Sequence, residues 1–273
     1  PPFSPNPDFM KAKSIRYTPE GKIELLDTDV PAPDDLEVQL KGHYCGICFW
    51  DISTCRLGRE MPAPAPPGHE GITEVVAVGS KVRGVAVGDF YAHGGFQTLA
   101  NHPVSDLEGK RLPAGIRPGP EWLAEPVSCC VTALDTSPLK AGDHVVVIGC
   151  GFMGQIIIQL LATSFAARVY ALDTNPDRLR LASDKGRVEC FQLEPENTTA
   201  IEERLKELPV DIVYDTTGAQ EGLDLATRII RLGGHINLFG WLKGNTATFN
   251  PSLWHMNGIQ VTNSSPSGKI RDP

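Results

Sequence analysis

Residues 145–154 read Val145-Val146-Val147-Ile148-Gly149-Cys150-Gly151-Phe152-Met153-Gly154, and this stretch decides the fold of the second half of the chain. Four consecutive β-branched residues predict a strand buried on both faces. The glycines that follow fit G-x-G-x-x-G, a weak signal alone that gains force between a strand and an apolar helix expected from about Gly154 to Ala167. In that context Gly149 permits the tight turn, Gly151 lets a pyrophosphate approach the backbone, and Gly154 lets helix pack on strand. The helix N-terminus then faces the phosphate charge, with Phe152 and Met153 in the same loop. Asp173 stands 19 residues after Gly154 at the end of the next strand, where a carboxylate accepts from ribose hydroxyls and repels a 2′-phosphate. NAD is therefore expected over NADP.

Working outward, strands and helices alternate downstream. Arg168 to Leu172 reads as a strand, Asn175-Pro176 as the cap and first turn of a helix through Ala182, and Asn197 or Thr198 as the cap of one through Lys206. Val210 to Tyr214 is a strand, Gln220 to Leu232 a helix closed by Gly233-Gly234, and His235 to Phe239 a strand. This alternation predicts a doubly wound parallel sheet. Upstream of about Glu121 the texture changes to short β-rich runs between turns: Glu37 to Lys41, Ile72 to Val78, and Val82 to Val87. Prolines cluster at 62–67 and 113–120, and no helical period holds beyond a turn or two.

Composition bounds the function. The chain has 273 residues, 41% hydrophobic and 21% charged, with a net charge of −8, which gives no electrostatic footprint for nucleic acid or an anionic membrane. No apolar run approaches the ~20 residues that span a bilayer. Pro1 to Pro7 lacks the basic and apolar regions of a signal peptide and reads as an unstructured leader, with Met10 as a native start. A cytoplasmic protein acting on a small molecule is expected. Its seven cysteines (Cys45, Cys48, Cys55, Cys129, Cys130, Cys150 and Cys190) are then free, catalytic or metal-binding rather than paired.

In the first half, Cys48 precedes His69-Glu70 by 21 residues, and Glu125 lies 24 residues before Gly149. A thiolate, an imidazole and carboxylates with room for water form a catalytic zinc set, in which zinc acts as Lewis acid on an alcohol or carbonyl oxygen. Asp51 either orients this set through His69 or serves as a solvated turn cap. Cys45-x-x-Cys48 as a redox pair would have to open a helix, whereas the segment reads as a strand entering a loop. His43, His93, His102, His144, His235 and His255 are scattered and read as solvated or structural.

Gly46-Ile47-Cys48-Phe49-Trp50-Asp51, Gly68-His69-Glu70-Gly71, Val87-Gly88-Asp89, Gly94-Gly95-Phe96, Glu125-Pro126-Val127-Ser128 and the Gly149 loop, in this order, resemble the medium-chain dehydrogenase/reductase family. Glu125-Pro126 is similar to the sorbitol (polyol) dehydrogenase branch of its zinc-containing alcohol dehydrogenases. The resemblance implies an α/β protein: a GroES-like β-rich catalytic domain over 10–120, then a Rossmann domain over 121–265. It implies that 266–273 starts a return to the catalytic domain whose remaining part is missing, and that the full-length protein is a homo-oligomer. It implies one zinc ion on Cys48 and His69, with Glu70 and Glu125 as direct, alternating or water-bridged ligands and Asp51 beside them. It further implies Arg178 on the adenosine ribose and Thr217, Phe239, Gly240 and Ser264 around the nicotinamide half.

Two departures stand out. Trp50 occupies the place where relatives carry the first hydroxyl of a proton relay, and an indole N–H can donate but cannot pass a proton. No four-cysteine cluster lies between Asp89 and Glu125, so a structural zinc lobe is absent. The expected reaction is reversible, zinc-dependent oxidation of a secondary alcohol of polyol or sugar-alcohol type by NAD. The alternatives are a zinc-free quinone or enone reductase of the same superfamily, or a catalytically silent NAD-binding protein.

Overall fold

The computed structural model describes residues 9–56, 67–164, 168–184, 187–241 and 246–264. The leader, most of the 62–67 proline stretch and the 266–273 segment therefore lie outside the described residues. The chain divides into two compact units, 1–126 and 127–273.

In the first unit, β1 (Phe9–Tyr17) and β2 (Ile23–Pro31) form an antiparallel hairpin closed through Gly21, whose φ of 75° requires glycine. Strands β3 (Glu37–Gly46), β4 (Glu70–Val78), β5 (Phe90–Tyr91) and β6 (Leu99–Pro103) make a four-stranded antiparallel sheet in the order β5-β4-β3-β6. Val38, Leu40, Val75, Val82, Tyr91 and Leu107 form its core. Val82 to Val87, expected as a strand, is instead irregular, with a bend at Gly84 and a turn beginning at Val87. Gly84 and Gly88 both take positive φ there, which breaks an extended run, while Val82 still turns inward to the core. A helix, α1 (Phe49–Arg56), follows β3 where none was expected. It has no apolar stripe for a periodicity reading to find, and its buried residues include Asp51 and Thr54.

The second unit is built on six parallel strands in the order β12-β11-β10-β7-β8-β9. These are β7 (His144–Ile148), β8 (Arg168–Asp173), β9 (Val188–Gln192), β10 (Val210–Asp215), β11 (His235–Leu238) and β12 (Gln260–Asn263). Alternation along β7 feeds two cores. Val145 and Val147 pack with Ile157, Ile158 and Leu161 of α3 (Phe152–Ala162) and with Cys130 of α2 (Ala124–Thr136). Val146 and Ile148 pack on the other face with Leu205 of α5 (Thr198–Lys206) and Leu225, Ala226 and Ile229 of α6 (Gln220–Ile229). Burying each of these four side chains contributes roughly 1.5–3 kcal/mol, and two covered faces explain the unbroken apolar run.

Helix ends follow local chemistry. Asn175 caps α4 (Pro176–Ser183), its side chain accepting from Asp177 N and Arg178 N. Asn197 precedes α5 without a side-chain cap bond, because its Oδ1 accepts from Glu194 N. Helix α3 starts at Phe152 rather than Gly154, since Gly151 is its N-cap. It ends at Ala162, where the Thr163 and Ser164 hydroxyls bond back to Leu160 O and Leu161 O. Helix α6 stops at Ile229, three residues before the expected end, as Ile230 turns extended and Arg231 N donates to Val210 O. Helix α7 (Pro251–Asn257) completes the unit before β12. Among the described residues no helix is long and apolar enough to cross a membrane.

Candidate functional site

Strand pairing brings the donors of the first unit together. β3 and β4 run antiparallel with Gly46 opposite Glu70, so Cys48, two residues past Gly46, meets His69, one residue before Glu70. One ligand atom from each of Cys48, His69 and Glu70 lies within 4.8 Å of the others. Gly46 makes the room: a Cβ there would collide with Glu70 Oε2 and come within 3.0 Å of Glu70 Cδ.

Cys48 sits at the N-terminus of α1, so the expected strand-into-loop is replaced here by a helix start. Its carbonyl accepts from Asp51 N and Ile52 N at 3.1 and 3.4 Å, and its sulfur accepts from Trp50 N at 3.5 Å. Asp51, 1% exposed, reaches back to cap that terminus: Oδ2 accepts from Cys48 N at 3.0 Å. Its Oδ1 accepts from Gly68 N at 3.2 Å and lies 3.8 Å from His69 Nδ1, too far for a hydrogen bond. One buried carboxylate thus fixes both backbone segments that carry the donors. Trp50 packs edge-on against the His69 ring at 5.9 Å.

The electrostatics suit a cation. Burial pushes the Glu70 carboxyl up, and Glu125 and Asp51 push the same way against His69. Burial also pushes the Cys48 thiol up, with Glu70, Asp51 and Glu125 adding to it. Glu125, in the first turn of α2, therefore acts electrostatically on both. A partly buried thiol and several carboxylates oppose one another's ionisation, and a divalent ion relieves that opposition. The donor chemistry of sulfur, nitrogen and oxygen fits zinc. Cys45 is a different case: burial pushes its thiol to about 11, far from a reactive thiolate at neutral pH.

In the second unit the three glycines differ in what surrounds them. Gly149 takes φ 92°; a Cβ at Gly151 would meet nothing within 4 Å; one at Gly154 would collide with Gly149 O and approach Thr216 Oγ1 at 3.1 Å. The open space at Gly151 is where a backbone-hugging ligand fits. Asp173, 7% exposed, accepts from Cys150 N at 2.6 Å and Asn175 N at 2.8 Å. Its Oδ2 fastens the glycine loop through Cys150 N and its Oδ1 the turn into α4 through Asn175 N, and both oxygens keep further lone pairs. Arg178 Nη1 stands 3.7 Å from Asp173 Oδ2.

The other expected cofactor residues are less uniform. Phe152 is exposed beside the loop, but Met153 packs against the core under β7. Thr217 donates through N and Oγ1 to buried Asp215, and Phe239 N and Gly240 N donate to Asp215 O, so these strand ends form one knot. Ser264 Oγ is engaged with Asn237 and Thr136 inside the unit. Thr216, which the family resemblance also places at this strand end, has a task the sequence did not show: its hydroxyl donates to Gly149 O at 2.7 Å, with Ile148 O at 3.0 Å. Its place at the C-terminal end of the strand beside the glycine loop is the signal that could have found it.

Comparison with known proteins gives two family-model matches, "Alcohol dehydrogenase GroES-like domain" over residues 34–102 and "Zinc-binding dehydrogenase" over residues 153–271. The chain is 27% identical over 274 residues to (R,R)-butanediol dehydrogenase of Bacillus subtilis, covering 85% of this chain and 78% of that one. It is 26% identical over 254 residues to sorbitol dehydrogenase of Halalkalibacterium halodurans, covering 79% and 74%. Among solved structures, 2R,3R-butanediol dehydrogenase from Bacillus subtilis shares the fold with a TM-score of 0.79, at 23% identity over 95% of this chain and 85% of that one.

Proposed function

Because the chain belongs to the medium-chain, zinc-type alcohol dehydrogenase family, whose members here are alcohol oxidoreductases, we propose that it oxidises a secondary alcohol of polyol type with NAD, using one zinc ion. Cys48, His69 and Glu70 would hold the metal, with Glu125 as a direct or water-bridged ligand. The observation that carries this reading is the mutual approach of the Cys48, His69 and Glu70 donor atoms within 4.8 Å, with Asp51 fastening both of their backbone segments. A bound zinc ion supplies Lewis acidity toward the substrate oxygen.

The chain's own residues do the rest. Asp51 holds Cys48 and Gly68 in register, so the donors need no reorganisation when substrate enters. The Trp50 indole covers one edge of the His69 ring and restricts the approach to it. Because that indole cannot accept a proton, the alcohol proton leaves through water or through a neighbouring hydroxyl of the substrate. A substrate carrying vicinal hydroxyls supplies that second group, which is why a polyol is favoured over a simple alcohol; the named relatives act on a diol and on sorbitol. Gly151 leaves the backbone open to a pyrophosphate, and Asp173, beside Arg178, favours ribose hydroxyls over a 2′-phosphate. Seven cysteines in a chain of this size, with no disulfide among the described residues, fit a reducing, cytoplasmic setting.

The test is metal analysis of the purified protein and of Cys48→Ser, with NADH formation followed over a panel of diols, polyols and simple alcohols. Loss of bound zinc together with loss of turnover is expected. A variant with no bound zinc and full turnover would remove the metal from the reaction.

A further inference from the structure

A second group of donors lies in the first unit and shares no residue with the first. His93 follows β5, His102 lies in β6, and Asp106 lies in the short 3-10 turn Val104–Leu107 that follows β6. One ligand atom from each falls within 4.8 Å of the others. We propose that His93 Nε2, His102 Nδ1 and an Asp106 carboxylate oxygen form a second divalent-metal site, of the class that takes zinc, nickel or cobalt, and that it clips the turn after β5 to β6.

The spacing argues for an ion. His93 Nε2 and His102 Nδ1 are 3.3 Å apart, with their rings at 83°. Two nitrogens each ~2.05 Å from a tetrahedral zinc stand about 3.3 Å apart. The nitrogens therefore already stand at the right separation, an ion taking the place of the proton they share across it, and a carboxylate oxygen of the exposed Asp106 lies within 4.8 Å of both. Two imidazoles and one carboxylate suit first-row ions of borderline softness. Burial lowers the affinity of both rings for protons, so each offers a lone pair at neutral pH.

The surroundings divide. Gln97 Nε2 stands 3.1 Å from His102 Nε2; turning that amide over presents Oε1, which accepts the ring Nε2–H and leaves Nδ1 free to ligate. Lys110 acts the other way. Its Nζ is 3.4 Å from His93 Nδ1 and donates to Asp106 O at 2.7 Å. While it donates to Nδ1 the ring proton sits on Nε2, so ligation through Nε2 requires Lys110 to release Nδ1, which then carries the N–H, and a positive charge is left beside the site. Lys110 thus tunes affinity downward, and a neutral acceptor in its place would strengthen binding. The clip has a mechanical consequence. The turn it ties down lies against β4 immediately after Glu70, where a Cβ at Gly71 would collide with the backbone oxygens of His93 and Gly94. Phe96 N in the same turn donates to Pro67 O at 2.7 Å.

The chelator-treated whole chain is titrated with Zn2+ by calorimetry and with Co2+ by absorption. Two equivalents are expected. Only one should carry a thiolate-to-cobalt charge-transfer band, that of Cys48, and it should survive His102→Gln. His102→Gln and the surface change Asp106→Asn should each weaken the other equivalent at least ~10-fold, with circular dichroism confirming that both fold. Lys110→Gln should tighten it. A single equivalent abolished by Cys48→Ser would overturn the proposal, as would a second equivalent indifferent to both His102→Gln and Asp106→Asn. A sulfur-free equivalent lost in His102→Gln would sustain it even if the Cys48 centre bound nothing, so the two metal readings fail separately.

Discussion

Changing Gly154 and Gly151 to alanine separates the two tasks of the glycine loop. At Gly154 a new Cβ falls well inside 3.0 Å of Gly149 O and at 3.0 Å from Gly149 C, and both are backbone atoms that cannot rotate away. Gly149 O also accepts from Thr216 Oγ1 at 2.7 Å, so relieving the clash stretches that bond. Overpacking of this kind costs about 1–3 kcal/mol, and a weakened hydrogen bond adds roughly 1 kcal/mol. At ~2–4 °C per kcal/mol for a chain of this size, Gly154→Ala should lower the melting temperature by about 5–15 °C. At Gly151 the backbone has φ −67°, open to any residue, and the Cβ meets nothing. Exchanging glycine for alanine at an N-cap costs only roughly 0.5 kcal/mol, so Gly151→Ala should melt within about 2 °C of the parent. Its methyl nevertheless fills the space left for a pyrophosphate, and NADH affinity should fall at least ~10-fold, or about 1.4 kcal/mol. Thermal melts by circular dichroism and NADH fluorescence titrations read the two quantities independently. A Gly151→Ala protein that binds NADH like the parent, or a Gly154→Ala protein that melts like it, would refute this account of the loop.

Asp51→Ala leaves Cys48 N and Gly68 N without their acceptor in a buried place, and should cost about 1–3 kcal/mol in urea unfolding and at least ~10-fold in zinc affinity. An unchanged zinc affinity would show that Asp51 acts on stability alone. His235 is buried and burial lowers its pKa, so below about 6.5 the unfolded chain takes up a proton that the folded chain declines. Stability should therefore fall as pH drops from 7.5 to 5.5, and His235→Gln should make that part of the urea-midpoint profile shallower, the slope that remains coming from His93 and His102, whose pKa values burial also lowers; parallel profiles would contradict the assignment.

Local signals carried the second unit. The run Val145–Ile148, the glycine loop and the Asn175-Pro176 cap each depend on neighbours a few residues away, and each element stands where those residues put it. The first unit was legible only in β3 and β4. β1 and β2 leave most of their residues partly or wholly exposed, so neither shows the alternation that marks a strand. α1 is too short, and its apolar residues are too evenly spread around it, to display a stripe. β9 and α7 were likewise unforeseen, both being short elements of five and seven residues. At the site, residue types and spacing pointed to the donors, but not to the way Asp51 holds them. Its partners include Gly68 N, 17 residues away, and such a bond exists only after the β3–β4 register is set. The same limit hid the pairing of His93 with His102, which read as two unrelated histidines.

That register is also where the proposed metal centre is most exposed to disproof. Glu70 can point at Cys48 and His69 because the residue opposite it across the ladder, Gly46, has no side chain. In Gly46→Ala the new methyl displaces the carboxylate, whose end is flexible, so the strand survives and the donor is moved; the remaining close approach, Cβ to Glu70 Cβ at 3.1 Å, asks for only a small shift. Zinc affinity should drop by about 10-fold or more, with little change in melting temperature. Glu70→Ala removes the same donor directly. If both substitutions act through one carboxylate, the double variant should bind zinc no more weakly than Glu70→Ala alone, a coupling of at least ~1.4 kcal/mol in the cycle. Additive losses would mean that Gly46 serves the chain path of β3 rather than the position of Glu70, and that the glycine opposite this carboxylate has nothing to do with metal.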